Sequence, residues 1–190
     1  MTNLVVALAG RRIDAVDDKH PTFPLGAVQS VSAEIEAYLR RVAPVALFSA
    51  AACGADIIAL RVAKVIGIPR TVILPYDRDL FRSTSVRDRP GHWEDYDLII
   101  DEVVNEGGVQ VLDFKEASPA AFEAVNTAIL DRSQSLGYPV QACIVWEGAS
   151  QGKGDYTAKF RESARNRSID VNEILISRPK PLATGIKNRT

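Results

Sequence analysis

Val45-Ala46-Leu47-Phe48-Ser49-Ala50-Ala51-Ala52-Cys53-Gly54-Ala55-Asp56-Ile57-Ile58 is the stretch whose reading decides the fold. An apolar strand pattern ends in small residues, and an apolar-periodic helix pattern begins directly behind them. Side chains as small as Ser, Ala and Gly leave the backbone N–H groups at that helix start uncovered. A phosphate can then approach the positive end of the helix dipole at hydrogen-bond distance. The motif indicates a kind of ligand; it does not say what is done to that ligand.

The same alternation runs through the chain. Strand-like runs are Leu4 to Ala9, Val45 to Ser49, Thr71 to Leu74, Val109 to Asp113, Val140 to Trp146 and Val171 to Ile176. Helical patterns lie between them, at Gln29–Arg41, Ala55–Ile66, Trp93–Asn105, Pro119–Ser135 and Thr157–Arg165. In the first helix, Val31, Ile35, Tyr38, Leu39 and Val42 make a stripe at close to 3.6 spacing that should face a sheet. The second is apolar nearly all round and should be buried, with Gly67 and Pro69 ending it. Strands apolar on both faces and separated by helices predict an α/β, Rossmann-like three-layer sandwich with a mainly parallel sheet of about six strands. One domain over residues 1–177 is expected, followed by an extended or mobile tail over 178–190 rich in Pro and basic residues.

Composition narrows the function classes. With 190 residues, 46% hydrophobic and 25% charged, the chain can build a substantial core and does not read as disordered. A net charge of −1 gives no general attraction for nucleic acid or for an anionic membrane. Cys53 and Cys143 lack partners at metal-ligand spacing, and His20 and His92 are far apart, so buried reduced thiols and no metal site are expected. No apolar run approaches the ~20 residues that span a bilayer, and Val5 to Ala9 reads as a strand rather than a signal peptide. A cytoplasmic setting is the expectation.

Ligands in such sheets bind beyond the carboxyl ends of the strands, so the segments after each strand are read together. After the first comes Gly10-Arg11-Arg12, where a glycine permits a tight turn and an arginine can fork onto phosphate or carboxylate, or simply be solvated. After the second, Ser49 can donate to a phosphate or cap the helix, with Ala51 and Gly54 beside it. Asp56, in the first helical turn, either complements the dipole or binds ribose hydroxyls. After the third comes Pro75 to Gly91, a long polar loop with four arginines between Arg78 and Arg89 and the aromatics Tyr76 and Phe81, suited to stacking and charge. After the fifth, Gly148, Gly152 and Gly154 precede Asp155 and Thr157, a second candidate anion cradle with a helix cap. Asn126 interrupts the apolar pattern of the helix before it, as a surface residue or a hydrogen-bonding one. Neither a GxGxxG fingerprint with its acidic partner nor a GxxxxGK[ST] loop is present, which disfavours dehydrogenases and P-loop enzymes.

Together these residues resemble the SMF/DprA–LOG (SLOG) superfamily of Rossmann-like nucleotide-binding domains. The resemblance rests on Gly10-Arg11-Arg12, on Ser49 to Asp56, on Pro75-Tyr76 and on the glycine loop before Asp155 and Thr157. It spans residues 3 to 176 and looks closest to sensor-type modules of bacterial signalling. It implies a phosphate-and-ribose site on Gly10, Arg12, Ser49, Ala51, Gly54, Asp56, Gly152, Gly154 and Thr157, with Arg11 and Tyr76 alongside. The Pro-Gly-Gly-x-Gly-Thr run of LOG phosphoribohydrolases is missing, as is the basic character expected of a DprA-like DNA binder. A self-paired assembly is compatible with the resemblance.

Two functions lead the expectations, with a scaffold or inhibitor that binds no ligand as a third. The first is a module that binds a nucleotide or nucleotide-derived ligand, such as NAD, ADP-ribose or a nucleoside phosphate, with no required cofactor. The second is an N-glycosidic hydrolase or transferase, for which Asp77, Glu123, Asp131 and Glu147 are the candidate carboxylates. No catalytic residue is assigned from sequence.

Overall fold

The computed structural model describes residues 3–91, 93 and 96–177. Six strands form a single all-parallel sheet: β1 (Val5–Gly10), β2 (Ala46–Ser49), β3 (Arg70–Leu74), β4 (Val109–Val111), β5 (Val140–Trp146) and β6 (Asp170–Leu175). The helices are α1 (Val28–Val42), α2 (Ala55–Ile66), α3 (Arg78–Ser85), α4 (Tyr96–Asn105), α5 (Pro119–Ser135) and α6 (Tyr156–Asn166). The α/β fold with its parallel sheet is as the strand and helix pattern predicts.

Strand order is β4-β3-β2-β1-β5-β6. The chain steps outward from β1 to β4, then returns through α5 to the other side of β1. Parallel strands require such crossovers, and helices on opposite faces follow from them. Alternation along β1 shows the result. Val6 and Leu8 pack with α1, α2 and α4, whereas Val5 and Ala7 pack with α5 and α6. The order reverses at β1 and β5, so their carboxyl ends diverge over a crevice.

The α1 stripe is buried at Val31, Ile35, Tyr38 and Leu39. Eight of the twelve residues of α2 are buried, which explains its nearly uniform apolarity. Two expectations are corrected. The polar stretch Pro75 to Gly91 is not one loop: α3 forms within it, capped by Asp77, whose Oδ1 accepts the N–H groups of Asp79 and Leu80 at 3.0 Å each. Within α3 only Phe81 and Ser85 are buried, too sparse a pattern to register as an apolar face. The strand read over Val109 to Asp113 stops at Val111, a short edge of three residues. The predicted tail over 178–190 lies outside the described residues. Among the described residues, no helix is long and apolar enough to cross a membrane, and both cysteines are buried and free.

Candidate functional site

A cavity of about 420 Å³ opens beyond the carboxyl ends of β1 and β5. Its floor is Leu8 to Ile13, running out of β1. One wall comes from Ala50, Ala52 and Asp56 around the start of α2, with Phe81, Ser85 and Arg89 from α3 and beyond. The opposite wall comes from Phe122, Val125, Asn126 and Ile129 on α5 and from Lys153 to Thr157 at the start of α6. The two small-residue turns do not sit side by side; they flank β1, because β2 and β5 are its two neighbours.

Close packing builds this arrangement. At Gly10, a Cβ would stand 2.3 Å from the Ala55 Cβ, so only glycine lets α2 begin directly against β1. Gly54 has φ of +117°, and a Cβ there would lie 2.5 Å from the Arg11 carbonyl oxygen. Arg12 pairs with Gly54 in an isolated antiparallel bridge, and the Ala55 N–H donates to the Arg11 carbonyl at 3.1 Å. The missing side chain of Gly54 thus makes room for another stretch of this chain.

The expectation of uncovered amides needs correction on both sides. In the first turn the Ala52 N–H donates to Asp56 Oδ2 at 3.3 Å and the Cys53 N–H to the Ser85 carbonyl at 2.9 Å. In the second, the N–H groups of Gln151 and Ala158 donate to the Asp155 carboxylate at 2.8 and 2.9 Å, and that of Gly152 to Ser150 Oγ at 3.1 Å. These donors are satisfied internally. These amides are therefore not free to receive an anion.

Arg11 and Arg12, adjacent in sequence, do different work. Arg11 is buried and grips two carboxylates: Nε and Nη2 donate to Glu147 at 2.6 and 2.9 Å, and Nη1 and Nη2 to Asp155 at 2.5 and 2.9 Å. Nη2 also reaches the Ala149 carbonyl at 3.1 Å. Burial by itself would lower the Arg11 pKa, but the carboxylates raise it; burial would raise that of Asp155, but Arg11 and two N–H donors bring it below the ordinary range. Arg11 is a structural latch, not a free anion binder. Arg12 is about one-third exposed, pairs with Asp88, and lies 3.7 Å from Cys53 Sγ through Nη2. Its Nε is buried and has no hydrogen-bond partner.

Asp56 is the other distinctive group. It is buried at the cavity wall, and neither its Oδ1 nor the buried Ser49 Oγ makes a hydrogen bond of full geometry. Burial pushes its pKa up to about 7, against the opposing influence of hydrogen bonding from the Ala52 N–H, the Ser49 hydroxyl and the Gly10 N–H and of the Arg12 charge. The helix dipole acts on the same carboxylate from the first turn of α2.

Of the residues singled out from sequence, Gly10, Arg11, Arg12, Asp56, Gly154 and Thr157 line the cavity. Ser49 and Ala51 are buried outside its lining, and Gly54 and Gly152 are not part of it either. Tyr76 is buried against Phe81, ring centroids 6.0 Å apart, with its hydroxyl 2.9 Å from Thr84 Oγ1, so its ring is not offered to the cavity. The four candidate carboxylates also sit elsewhere. Asp77 caps α3, Glu123 pairs with Lys159, Asp131 pairs with Arg167 at 2.5 Å, and Glu147 holds Arg11. Sequence reasoning did not assign Arg89, Lys153, Asp14 or Phe122 to the lining. For Arg89 a signal existed in the arginine-rich segment, and for Phe122 in the helix marked by Asn126. Asn126 Nδ2 donates to the Tyr156 carbonyl at 2.8 Å and ties α5 to α6, while Phe122 and Tyr156 form an aromatic pair 5.2 Å apart.

No protein-family model matches the chain, and no curated protein does. Among solved structures, a similar one is the DNA processing protein A (DprA) from Streptococcus pneumoniae. It shares 15% identity at a TM-score of 0.42, and the match covers 90% of this chain and 58% of that one.

Proposed function

We propose that this chain binds a nucleotide or nucleotide-derived ligand, of the NAD, ADP-ribose or nucleoside phosphate kind, in the cavity beyond β1 and β5, as a sensor or regulatory module. The observation that carries the reading is the pairing, in one cavity, of a guanidinium about one-third exposed at Arg12 with the buried carboxylate of Asp56. Arginine suits phosphate, and a carboxylate oxygen suits the paired hydroxyls of a ribose. Phe81, Phe122 and Tyr156 supply apolar and aromatic wall for a base, and a volume near 420 Å³ falls in the range of small-molecule sites. The SLOG resemblance of the turns points to the same ligand class.

The test is a calorimetric and thermal-shift panel of nucleoside monophosphates, NAD and ADP-ribose. A ligand at about one hundred times its Kd should stabilise the fold by roughly 2.7 kcal/mol. Silence across the panel contradicts the reading.

One observation favours a second reading, hydrolysis or transfer at an N-glycosidic bond. A carboxyl titrating near neutrality in a cavity is suited to general acid–base work, and Asp56 is that group. Chromatography of nucleotides incubated with the protein decides. Base release that is lost in Asp56→Asn supports catalysis, and intact nucleotides speak for binding alone.

A further inference from the structure

Arg12 and Arg89 come from turns 77 positions apart, yet both line the cavity and both meet one carboxylate, Asp88, which does not line it. Arg12 Nη2 pairs with Asp88 Oδ1, and Arg89 Nε stands 3.7 Å from Asp88 Oδ2. That second contact is an ion pair without a hydrogen bond, and the Nε atoms of both arginines are buried with no hydrogen-bond partner. The contrast with Arg11, whose guanidinium is bonded to two carboxylates and a carbonyl, is sharp. Two guanidiniums meet on the one carboxylate of Asp88, and Arg12 also acts on Asp56, which lines the same cavity. The side chains of Arg12, Asp88 and Arg89 are about one-third exposed, at 31%, 35% and 29%, so the pairing is solvated and exchangeable.

We propose that Arg12 and Arg89 form a two-pronged subsite for a phosphoryl group, and that Asp88 holds the place of that group as an internal competing anion until ligand displaces it. This rests on the nucleotide reading and deepens it by naming the group that binds and the residue that sets the threshold for binding. A carboxylate presents two oxygens at a spacing close to that of two oxygens on one phosphoryl group, so a phosphate satisfies the same pair of arginines. It brings a further oxygen and a second negative charge to the same two guanidiniums. Asp88 thereby weakens the free protein's affinity for phosphate while keeping the two arginines from repelling each other. The ligand must outcompete it, which suits a module that should stay empty at low ligand concentration.

Calorimetric titration of inorganic phosphate, pyrophosphate, ADP-ribose and an unphosphorylated nucleoside into the wild type, Asp88→Asn and Arg89→Gln tests this. Asp88→Asn should bind the three phosphorylated probes about fivefold more tightly, the equivalent of losing one exchangeable ion pair, and the nucleoside no differently. Arg89→Gln should weaken the same three by a similar factor. Asp88→Ser serves as a second variant, and thermal unfolding confirms that each is folded. If the wild type binds nucleotides but Asp88→Asn binds them equally or more weakly, the place-holding role is overturned and the nucleotide reading stands. If Asp88→Asn binds phosphate or pyrophosphate where the wild type binds nothing, the subsite stands and nucleotide sensing by the wild type falls. Absence of binding by every variant overturns both.

Discussion

The two turns that flank β1 look alike in sequence and act differently in the structure. On the β5 side, the glycine-rich loop closes on itself: Glu147 and Asp155 clamp Arg11, and Asp155 also takes the N–H groups of Gln151 and Ala158. On the β2 side, Asp56 uses one oxygen on Ala52, neither the other nor Ser49 Oγ makes a hydrogen bond of full geometry, and Arg12 is shared loosely with Asp88. One side is satisfied. The other presents Asp56 and Arg12 to the cavity. Small residues and arginines at a strand end therefore mark a turn built for close packing, and unmet hydrogen-bonding capacity is what distinguishes the turn proposed to face a ligand from its counterpart.

The largest expected effect falls on the satisfied side. Arg11→Met leaves Glu147 and Asp155 without their counter-charge and should cost about 3–5 kcal/mol in chemical denaturation. Arg12→Gln should cost less than about 1 kcal/mol, because its ion pair is solvated. Equal losses from the two substitutions would erase the distinction between the turns.

The two aspartates should also titrate in opposite senses. Asp56 has a folded-state pKa of about 7 against an ordinary 3.8, so between those values the folded protein holds a proton that the unfolded chain has released. Its contribution therefore falls as pH rises through that window, by on the order of 4 kcal/mol, and is constant above it. Asp56→Asn should flatten this slope. For Asp155 the folded value lies below the ordinary one, so its stabilisation is present above pH 4 or so and is lost only in stronger acid. A stability profile from pH 4 to 8 that is unchanged by Asp56→Asn would contradict the burial of that carboxyl.

A smaller loss is expected at the junction of the turns. Gly54→Ala places a Cβ 2.5 Å from the Arg11 carbonyl at a φ of +117°, and should cost about 2 kcal/mol by thermal unfolding. A neutral outcome would mean that the bridge between Arg12 and Gly54 is not held as tightly as the geometry requires.

Much of the architecture was legible because periodicity reports burial. The stripe on α1 and the near-uniform apolarity of α2 both follow from which faces meet the sheet. The helix α3 was not legible, since two buried residues in eight make no stripe and the Asp77 cap alone is a weak signal. The site was half legible. That the strand-end turns converge follows from the strand order, but the partners of Arg11 lie 136 and 144 positions away and have no local signature. For the same reason the sequence could not show that the turn amides are already bonded, or that Arg89 joins Arg12 on one carboxylate.

The most direct test of the cavity as a nucleotide site is an amide chemical-shift titration of the ¹⁵N-labelled protein with ADP-ribose and nucleoside monophosphates. The account predicts saturable shifts at residues 10–13, 50–56, 85–89, 122–129 and 151–157, which surround the cavity from four segments of the chain and the end of β1. Shifts confined to the outer strands β4 and β6, or none at millimolar ligand, would contradict it.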